Sequence, residues 1–356
     1  RKFLAMKAFE LTSKYDSIIS KWLQKSFTKQ TELPDNLKLD LKKTYSMRYG
    51  ENPHQKAGLY VAEETKNGVA NAIQIQGKDL SYNNINDTDA AFDLICEFKN
   101  PAVVIVKHAN PCGVSEASSI NQAWDDALST DPTSSFGGIV AVNRSINKSL
   151  AIKMSKIFLE VIVAPNISTT AKNIFSKKNN LRILISKELS NTKNEGIMIK
   201  SISGGFLVQT NDNGILKNQN LKVVSKRKPS QKEKDDLLFA WKVAKHTKSN
   251  AIIYAKNKTT TGIGAGQMSR VDSAYIAKKK SEKNSLLSRE KAIRINKSVA
   301  ASDAFFPFTD ALITASSAGI TAVIQPGGSI RDKEIIEEAN KRNLAMIFTS
   351  MRHFKH

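Results

Sequence analysis

The chain has 356 residues, 40% hydrophobic and 24% charged, a globular balance with length for two or more cores. No apolar stretch reaches the length of a membrane span, and no signal-peptide pattern opens this sequence. Only two cysteines, Cys96 and Cys112, and five histidines argue against a disulfide framework and against zinc, so a reducing cytoplasm is expected.

A net charge of +21 needs an account. Clustered Lys and Arg suit nucleic acid through counterion release, and they equally suit a small polyanion drawn in by a positive field. Runs such as Lys177-Lys178-Asn179-Asn180 and Lys278-Lys279-Lys280 lack interleaved aromatics. Compositional bias plus an anionic small molecule is therefore the favoured reading, and a basic RNA-binding protein is the rival. The first residue is Arg1, so a processed protein or a fragment is expected.

Leu4, Ala8, Leu11, Tyr15, Ile18 and Trp22 recur at helical spacing and predict an opening helix. Ser26 to Lys43 is polar, contains Pro34 and reads as a linker. From Thr44 to Ile185, predicted strands near 102–106, 139–142, 161–164 and 181–185 alternate with helices near 88–98, 119–129, 148–158 and 169–176. Such alternation predicts a mainly parallel sheet sandwiched by helices. Residues 186–231 form a looser connector, with a strand pair around Gly204-Gly205. A second α/β unit, 232–356, has helices near 232–245, 270–280, 309–318 and 331–342. Its strands fall near 251–256, 259–264, 321–325 and 344–348. No short-period repeat is visible, and sequence alone does not establish a duplication.

Chemistry-bearing residues gather where these elements end. The buried run Ala102 to Val106 stops at Lys107-His108, two proton-handling side chains, and Asn110-Pro111 is read as turning the backbone there. Arg48 and Tyr49 sit in a turn-forming stretch, and an Arg fork suits phosphate. Ser134-Ser135-Phe136-Gly137-Gly138 allows close backbone approach or a tight turn. Gly262 to Arg270 alternates glycine and then opens a helix; it is not GxGxxG. Arg270 and the free N–H groups of that helix start suit an anion. Phe305, Phe306 and Phe308 make either core or a stacking wall for a flat heterocycle. Gln325 to Asp332 is a further anion or amide site, and Met351 to His356 reads as a tail that would ordinarily fray.

Ten segments occur in one order: RYGENPHQ (48–55), LSYNNINDTDAA (80–91), VKHANPCG (106–113), SSFGG (134–138), KSISGGFLVQ (200–209), KSNAI (248–252), GIGAGQMSR (262–270), SDAFFPF (302–308), QPGGS (325–329) and RHFKH (352–356). Together they resemble the transformylase part of the bifunctional purine-biosynthesis family, which pairs AICAR formyltransferase with IMP cyclohydrolase. Residues 1–43 resemble the closing helix of the cyclohydrolase domain plus a linker, so ring closure is expected to be absent. The resemblance implies two tandem cytidine-deaminase-like domains, 44–185 and 232–356, in a three-layer α/β/α arrangement. Deaminases of that fold use a zinc-bound water with Cys-x-x-Cys and His ligands. Pro111-Cys112 is the one hint of that motif here, without the second Cys, so metal-assisted hydrolysis is disfavoured.

What the resemblance implies for function is transfer of formyl from 10-formyltetrahydrofolate to AICAR. Lys107 and His108 would be catalytic. Arg48, Tyr49, Gly137, Glu160, Asn250 and Arg270 would contact AICAR. Val271, Phe305, Ser329, Ile330 and Arg352 would line the folate pocket, with Asn110 and Asp310 in support. It also implies a homodimer with shared sites and a structural monovalent cation, whose ligands the motifs do not assign. No nucleic-acid or membrane partner is expected.

Overall fold

The computed structural model describes residues 1–27, 33–62, 68–186, 196–287 and 294–356. The chain opens with α1 (Lys2–Phe27), the helix read from its apolar spacing. Strands β1 (Lys42–Met47) and β2 (Ala57–Val61) pair antiparallel. Then come β3 (Ile73–Gln76), α2 (Tyr82–Ile95), β4 (Ala102–Lys107), β5 (Asn110–Glu116), α3 (Ile120–Thr130), the single turn α4 (Pro132–Ser135) and β6 (Gly138–Val142). They are followed by α5 (Lys148–Met154), β7 (Leu159–Ala164), α6 (Thr169–Phe175) and β8 (Arg182–Ile185). The expected strand pair is the hairpin of β9 (Ile197–Ile202) and β10 (Gly205–Thr210). The second half runs β11 (Lys222–Val223), α7 (Gln231–Lys245), β12 (Ile252–Lys256), β13 (Thr259–Gly264), α8 (Arg270–Leu287), β14 (Val299–Ser302) and α9 (Asp310–Ser317). It closes with β15 (Ala322–Gln325), α10 (Asp332–Lys341) and β16 (Ala345–Phe348). Residues 28–32 of the expected linker and 187–195 of the connector lie outside the described residues. Two compact units result: 1–40 with 193–213, carrying α1 and the β9–β10 hairpin, and 41–192 with 214–356, carrying the rest.

In the larger unit twelve strands form one sheet, in the order β11-β16-β15-β14-β12-β13-β5-β4-β6-β7-β8-β3. The expected mainly parallel sheet is overturned. Only β6–β7, β7–β8, β14–β15 and β15–β16 are parallel neighbours; the other pairs are antiparallel. Two-residue connections join β4 to β5 and β12 to β13, and a connection that short gives only an antiparallel pair. Strand β5 escaped the sequence reading because Pro111 reads as a breaker; it sits at an irregularity in the ladder, opposite Val106.

Both faces of the sheet are buried. Val104 and Val106 pack with Phe92 and Ile95 of α2 in the same core as Leu237 and Phe239 of α7. Their neighbours Val103 and Ile105 pack on the opposite face with Trp124 of α3 and Leu150 of α5. Ile252 and Tyr254 do the same against α8, α9 and α10 through Ala277, Leu312 and Ile335. Each fully buried Val, Leu or Ile contributes about 1.5–3 kcal/mol, and the period-two alternation delivers that on both faces.

The two halves of this sheet repeat one plan. Strands β3, β4, β5, β6, β7 and β8 correspond in order and sense to β11, β12, β13, β14, β15 and β16. Helices α2 and α7 both begin at a serine cap with a capping box, Ser81 with Asn84 and Ser230 with Glu233. Gly113 of β5 and Gly262 of β13 each lie against the following helix; a Cβ would come within 2.1 Å of the Ala127 oxygen and 2.4 Å of the Ala277 oxygen. The halves join at β5–β13, where the ladder is short and the Thr260 hydroxyl completes it by accepting from Val114 N at 2.9 Å.

Candidate active site

Strand sense gathers the candidate residues. The C-terminal ends of β4, β13, β14, β15 and β16 and the N-terminal ends of β6, β7 and β12 share one rim of the sheet. Lys107 is the last residue of β4 and Glu160 the second of β7, while His108, Arg270, Phe305, Ser329, Ile330, Arg352, Gly137 and Asn250 follow or precede such ends.

The turn at β4 differs from the sequence reading. His108 (φ 52°) and Ala109 (φ 56°) make the reversal, while Asn110 and Pro111 already belong to β5. Two successive left-handed residues are the pattern of a two-residue hairpin turn, usually filled by Asn and Gly. Asp87 of α2 holds this one: its carboxylate accepts from His108 N at 3.1 Å and from Ala109 N at 2.8 Å. Burial raises the Asp87 carboxyl above its usual value, opposed by those two N–H donors. The turn lets neighbouring side chains serve one space. Lys107, His108 and Asn110 line a cavity of about 330 Å³ together with Asp131, Gln267 and Lys280. Lys107 Nζ donates to Phe136 O at 2.6 Å, and a Cβ on Gly137 (φ 68°) would lie 3.1 Å from that amine. Glycine at 137 thus permits the left-handed turn and leaves room for the lysine.

Beside the cavity stands a buried polar cluster. Arg270 donates from Nη1 to Asn250 Oδ1 (2.6 Å), from Nη2 to Asp303 Oδ1 (2.8 Å) and from Nε to Ser302 Oγ (3.0 Å). Its side chain is 9% exposed and that of Asp303 is 0%. Burial lowers the Arg270 guanidinium below its ordinary value, and Asp303 opposes that shift. Asn250 donates to Gln267 O and Met268 O, which fixes the loop before α8. Lys248 N donates to Asn110 Oδ1 at 3.0 Å, so the cluster and the His108 turn are tied together.

The C-terminal tail is laced into this cluster and does not fray as its sequence suggested. His353 N donates to Asp303 O, Ser249 N donates to Lys355 O, and Ser249 Oγ bonds Asp303 Oδ2. The Phe354 ring lies 4.7 Å from the Arg352 guanidinium and 5.9 Å from that of Arg270.

Other candidates are less engaged. Arg48 is exposed, 5.7 Å over the Tyr49 ring; its loop reaches the start of α2 where Asn83 Nδ2 donates to Glu51 O. Glu160 pairs with Arg182 at 2.9 Å. Val271 packs in the first turn of α8, Phe305 is half-buried and Ile330 is exposed. Ser329 Oγ accepts from Arg331 N, and Asp310, the first residue of α9, accepts from the adjacent Ala311 N. Sequence reading missed Asp87 and Asp303. The available signal was a charged residue within an otherwise apolar or helical motif, which demands a partner once buried.

Cys112 is buried, and burial pushes its thiol up to about 12. Among the described residues no three His, Cys, Asp or Glu side chains converge as a metal donor set, and no helix is long and apolar enough to cross a membrane.

Comparison with known proteins agrees with the resemblance read from the sequence. A family model described as AICARFT/IMPCHase bienzyme matches residues 1–280. The bifunctional purine biosynthesis protein PurH of Rhodospirillum rubrum is 51% identical over 356 residues, covering 100% of this chain and 67% of that protein. PurH of Chelativorans sp. is 51% identical over 359 residues, covering 100% and 66%. PurH of Brucella ovis is 52% identical over 359 residues with the same coverage, 100% and 66%. The chain spans about two thirds of the length of these curated relatives. By the extent of both kinds of match, the chain belongs to the AICARFT/IMPCHase bienzyme family.

Proposed function

We propose that this chain is an AICAR formyltransferase, moving the formyl group of 10-formyltetrahydrofolate to the exocyclic 5-amine of AICAR in purine biosynthesis. The observation that carries the reading is the convergence of Lys107 and His108 on one cavity, tied through Asn110 to the Arg270 cluster. The 5-amine is a poor nucleophile because its lone pair is delocalised into the ring and carboxamide. A C–N bond forms from that amine to the formyl carbon as the bond from formyl carbon to the folate nitrogen breaks. His108 takes the amine proton and returns it to the folate nitrogen, which leaves as the neutral amine. Lys107 uses donors beyond its Phe136 bond to stabilise the oxyanion or the departing nitrogen.

In this reading Arg48, Tyr49, Gly137, Glu160, Asn250 and Arg270 serve AICAR, with Arg270 acting chiefly by orienting Asn250 and the loop before α8. Val271, Phe305, Ser329, Ile330 and Arg352 serve the folate, whose flat heterocycle suits the half-buried Phe305. Asn110 and Asp310 are supporting groups. The exposure of Ile330 and Arg352 fits a site shared across a homodimer. Two tandem cytidine-deaminase-like domains, 44–185 and 232–356, accord with the repeated strand order. The net charge of +21 suits two anionic small molecules in the cytoplasm. A structural monovalent cation belongs to the same reading.

The test is tetrahydrofolate release from 10-formyltetrahydrofolate with and without AICAR. Release that requires both substrates and survives EDTA is expected. No AICAR-dependent release overturns the proposal, and a rate restored by zinc would favour hydrolytic chemistry.

A further inference from the structure

We infer that Asp87 is a positioning residue for His108, its carboxylate holding the left-handed turn that aims Lys107 and His108 into one cavity; this rests on the formyl-transfer reading. His108 and Ala109 both have positive φ, a conformation that crowds L side chains and that glycine or asparagine adopts most readily. Neither residue of this turn is of that kind. Its geometry is instead imposed from outside, by two charge-assisted bonds from adjacent N–H groups to the two oxygens of one carboxylate. No hydrogen bond joins Asp87 to the imidazole among the described residues; Asp87 reaches His108 through these two backbone bonds and through direct charge attraction, and only the first is what glycine at 109 can replace.

The repeated half supplies an independent view of the same device. Asp236 of α7, like Asp87, lies six residues beyond the helix cap. Its oxygens accept from Asn257 N at 2.9 Å and Lys258 N at 2.7 Å, in a turn with φ of 54° and 52°. Strand sense sets that turn on the opposite rim, away from the cavity. Removing either carboxylate thus costs the same kind of structure, and only one of the two losses reaches the chemistry.

The experiment compares Asp87→Asn, Asp236→Asn and the double variant Asp87→Asn/Ala109→Gly with the unaltered chain. An amide accepts one N–H and turns its own donor toward the other. Both single variants should melt at similarly lowered temperatures. Asp87→Asn alone should lose about 10²-fold in kcat, as misplaced catalytic groups do. KM for AICAR should hold within about twofold, because the loss falls on the transition state. Glycine at 109 adopts the left-handed turn without strain and should restore most of kcat. Equal turnover in the two single variants, or a deficit untouched by Ala109→Gly, would overturn the inference. If the unaltered chain itself releases no tetrahydrofolate, the formyl-transfer reading fails separately. The backbone amide resonances of His108 and Ala109 then decide the positioning: they should shift in Asp87→Asn, stay put in Asp236→Asn and return in the double variant. Resonances unmoved in Asp87→Asn would sink it.

Discussion

The turns Lys107–Asn110 and Lys256–Thr259 are built alike and lie on opposite rims of one sheet. Each follows a buried strand, each is capped by an aspartate from the preceding helix, and each begins with a lysine whose amine donates to a carbonyl leading into a neighbouring strand. Lys107 reaches Phe136 O at 2.6 Å and Lys256 reaches Asn296 O at 3.0 Å. The lysine and the cap are therefore properties of the repeated scaffold. What differs is the chemistry set on it. His108 has Asn257 as its counterpart, and the positions equivalent to Asn250, Arg270 and Asp303 are Pro101, Ile120 and Asn143. On that second rim Asn143 is spent on backbone, accepting from Ala102 N and donating to Phe98 O and Asn100 O. One rim is closed by its own hydrogen bonds, whereas the other keeps an imidazole and a guanidinium cluster beside a cavity.

Exchanging residues between the rims tests that contrast. His108→Asn gives the first turn its twin's residue and should lower turnover by roughly 10²–10⁴-fold. Asparagine accepts left-handed backbone better than histidine, so the melting temperature should hold or rise slightly. Near-normal tetrahydrofolate release by a folded His108→Asn chain would remove the imidazole from the mechanism. Next in size is Asp303→Asn, again the twin's residue. It leaves the Arg270 charge buried without its partner, which should cost about 3–5 kcal/mol in urea unfolding. A loss below about 1 kcal/mol would mean the cluster relaxes into water.

These comparisons also mark what the sequence could carry. Helical spacing was legible, because periodicity is local: α7, α9 and α10 fall within a residue of their expected spans, and α1 is present but runs past Trp22 to Phe27, into the expected linker. The strand β5 was not, since Pro111 obeys the rule for breakers and only its partner strand shows that it sits at an irregularity. Strand sense was misread for the same reason. Without β5 the antiparallel β4–β5 pair of the first half went uncounted, whereas the strands near 251–256 and 259–264 already stood two residues apart. At the site, Lys107 and His108 stood out as proton-handling groups at a strand end. Asp87 and Asp303 did not, because their meaning lies in partners 21 and 33 residues away. Asp310 and Glu160 show the reverse: chosen from a motif, they are engaged with Ala311 and Arg182.

The smallest effect is expected where the halves meet. Glu97 and His246 occupy equivalent places, just past the ends of α2 and α7, and His246 Nε2 lies 3.0 Å from Glu97 Oε1. Lys245 Nζ donates to the same oxygen at 2.8 Å, and Asp93 and Lys355 also face the imidazole. For Glu97, burial is the largest single influence and works upward, but His246 and Lys245 together hold the carboxyl down to about 2. Burial lowers His246, against the pull of Glu97. Both signs lead the same way. A group whose folded value is depressed favours the fold above its unfolded value and loses that support as pH falls. Stability should therefore decline first below the ordinary histidine value of 6.5, then further between 4.5 and about 2. Urea midpoints at pH 7, 5 and 3 measure this, and Glu97→Gln should flatten the lower part by about 1–3 kcal/mol. Coincident curves for the two chains below pH 4.5 would refute the assignment. Glu233 is also held to about 2: burial works upward, and Arg227, Thr321 and Ser230 outweigh it within one half. Because that carboxylate remains in the variant, the difference between the curves belongs to the seam alone.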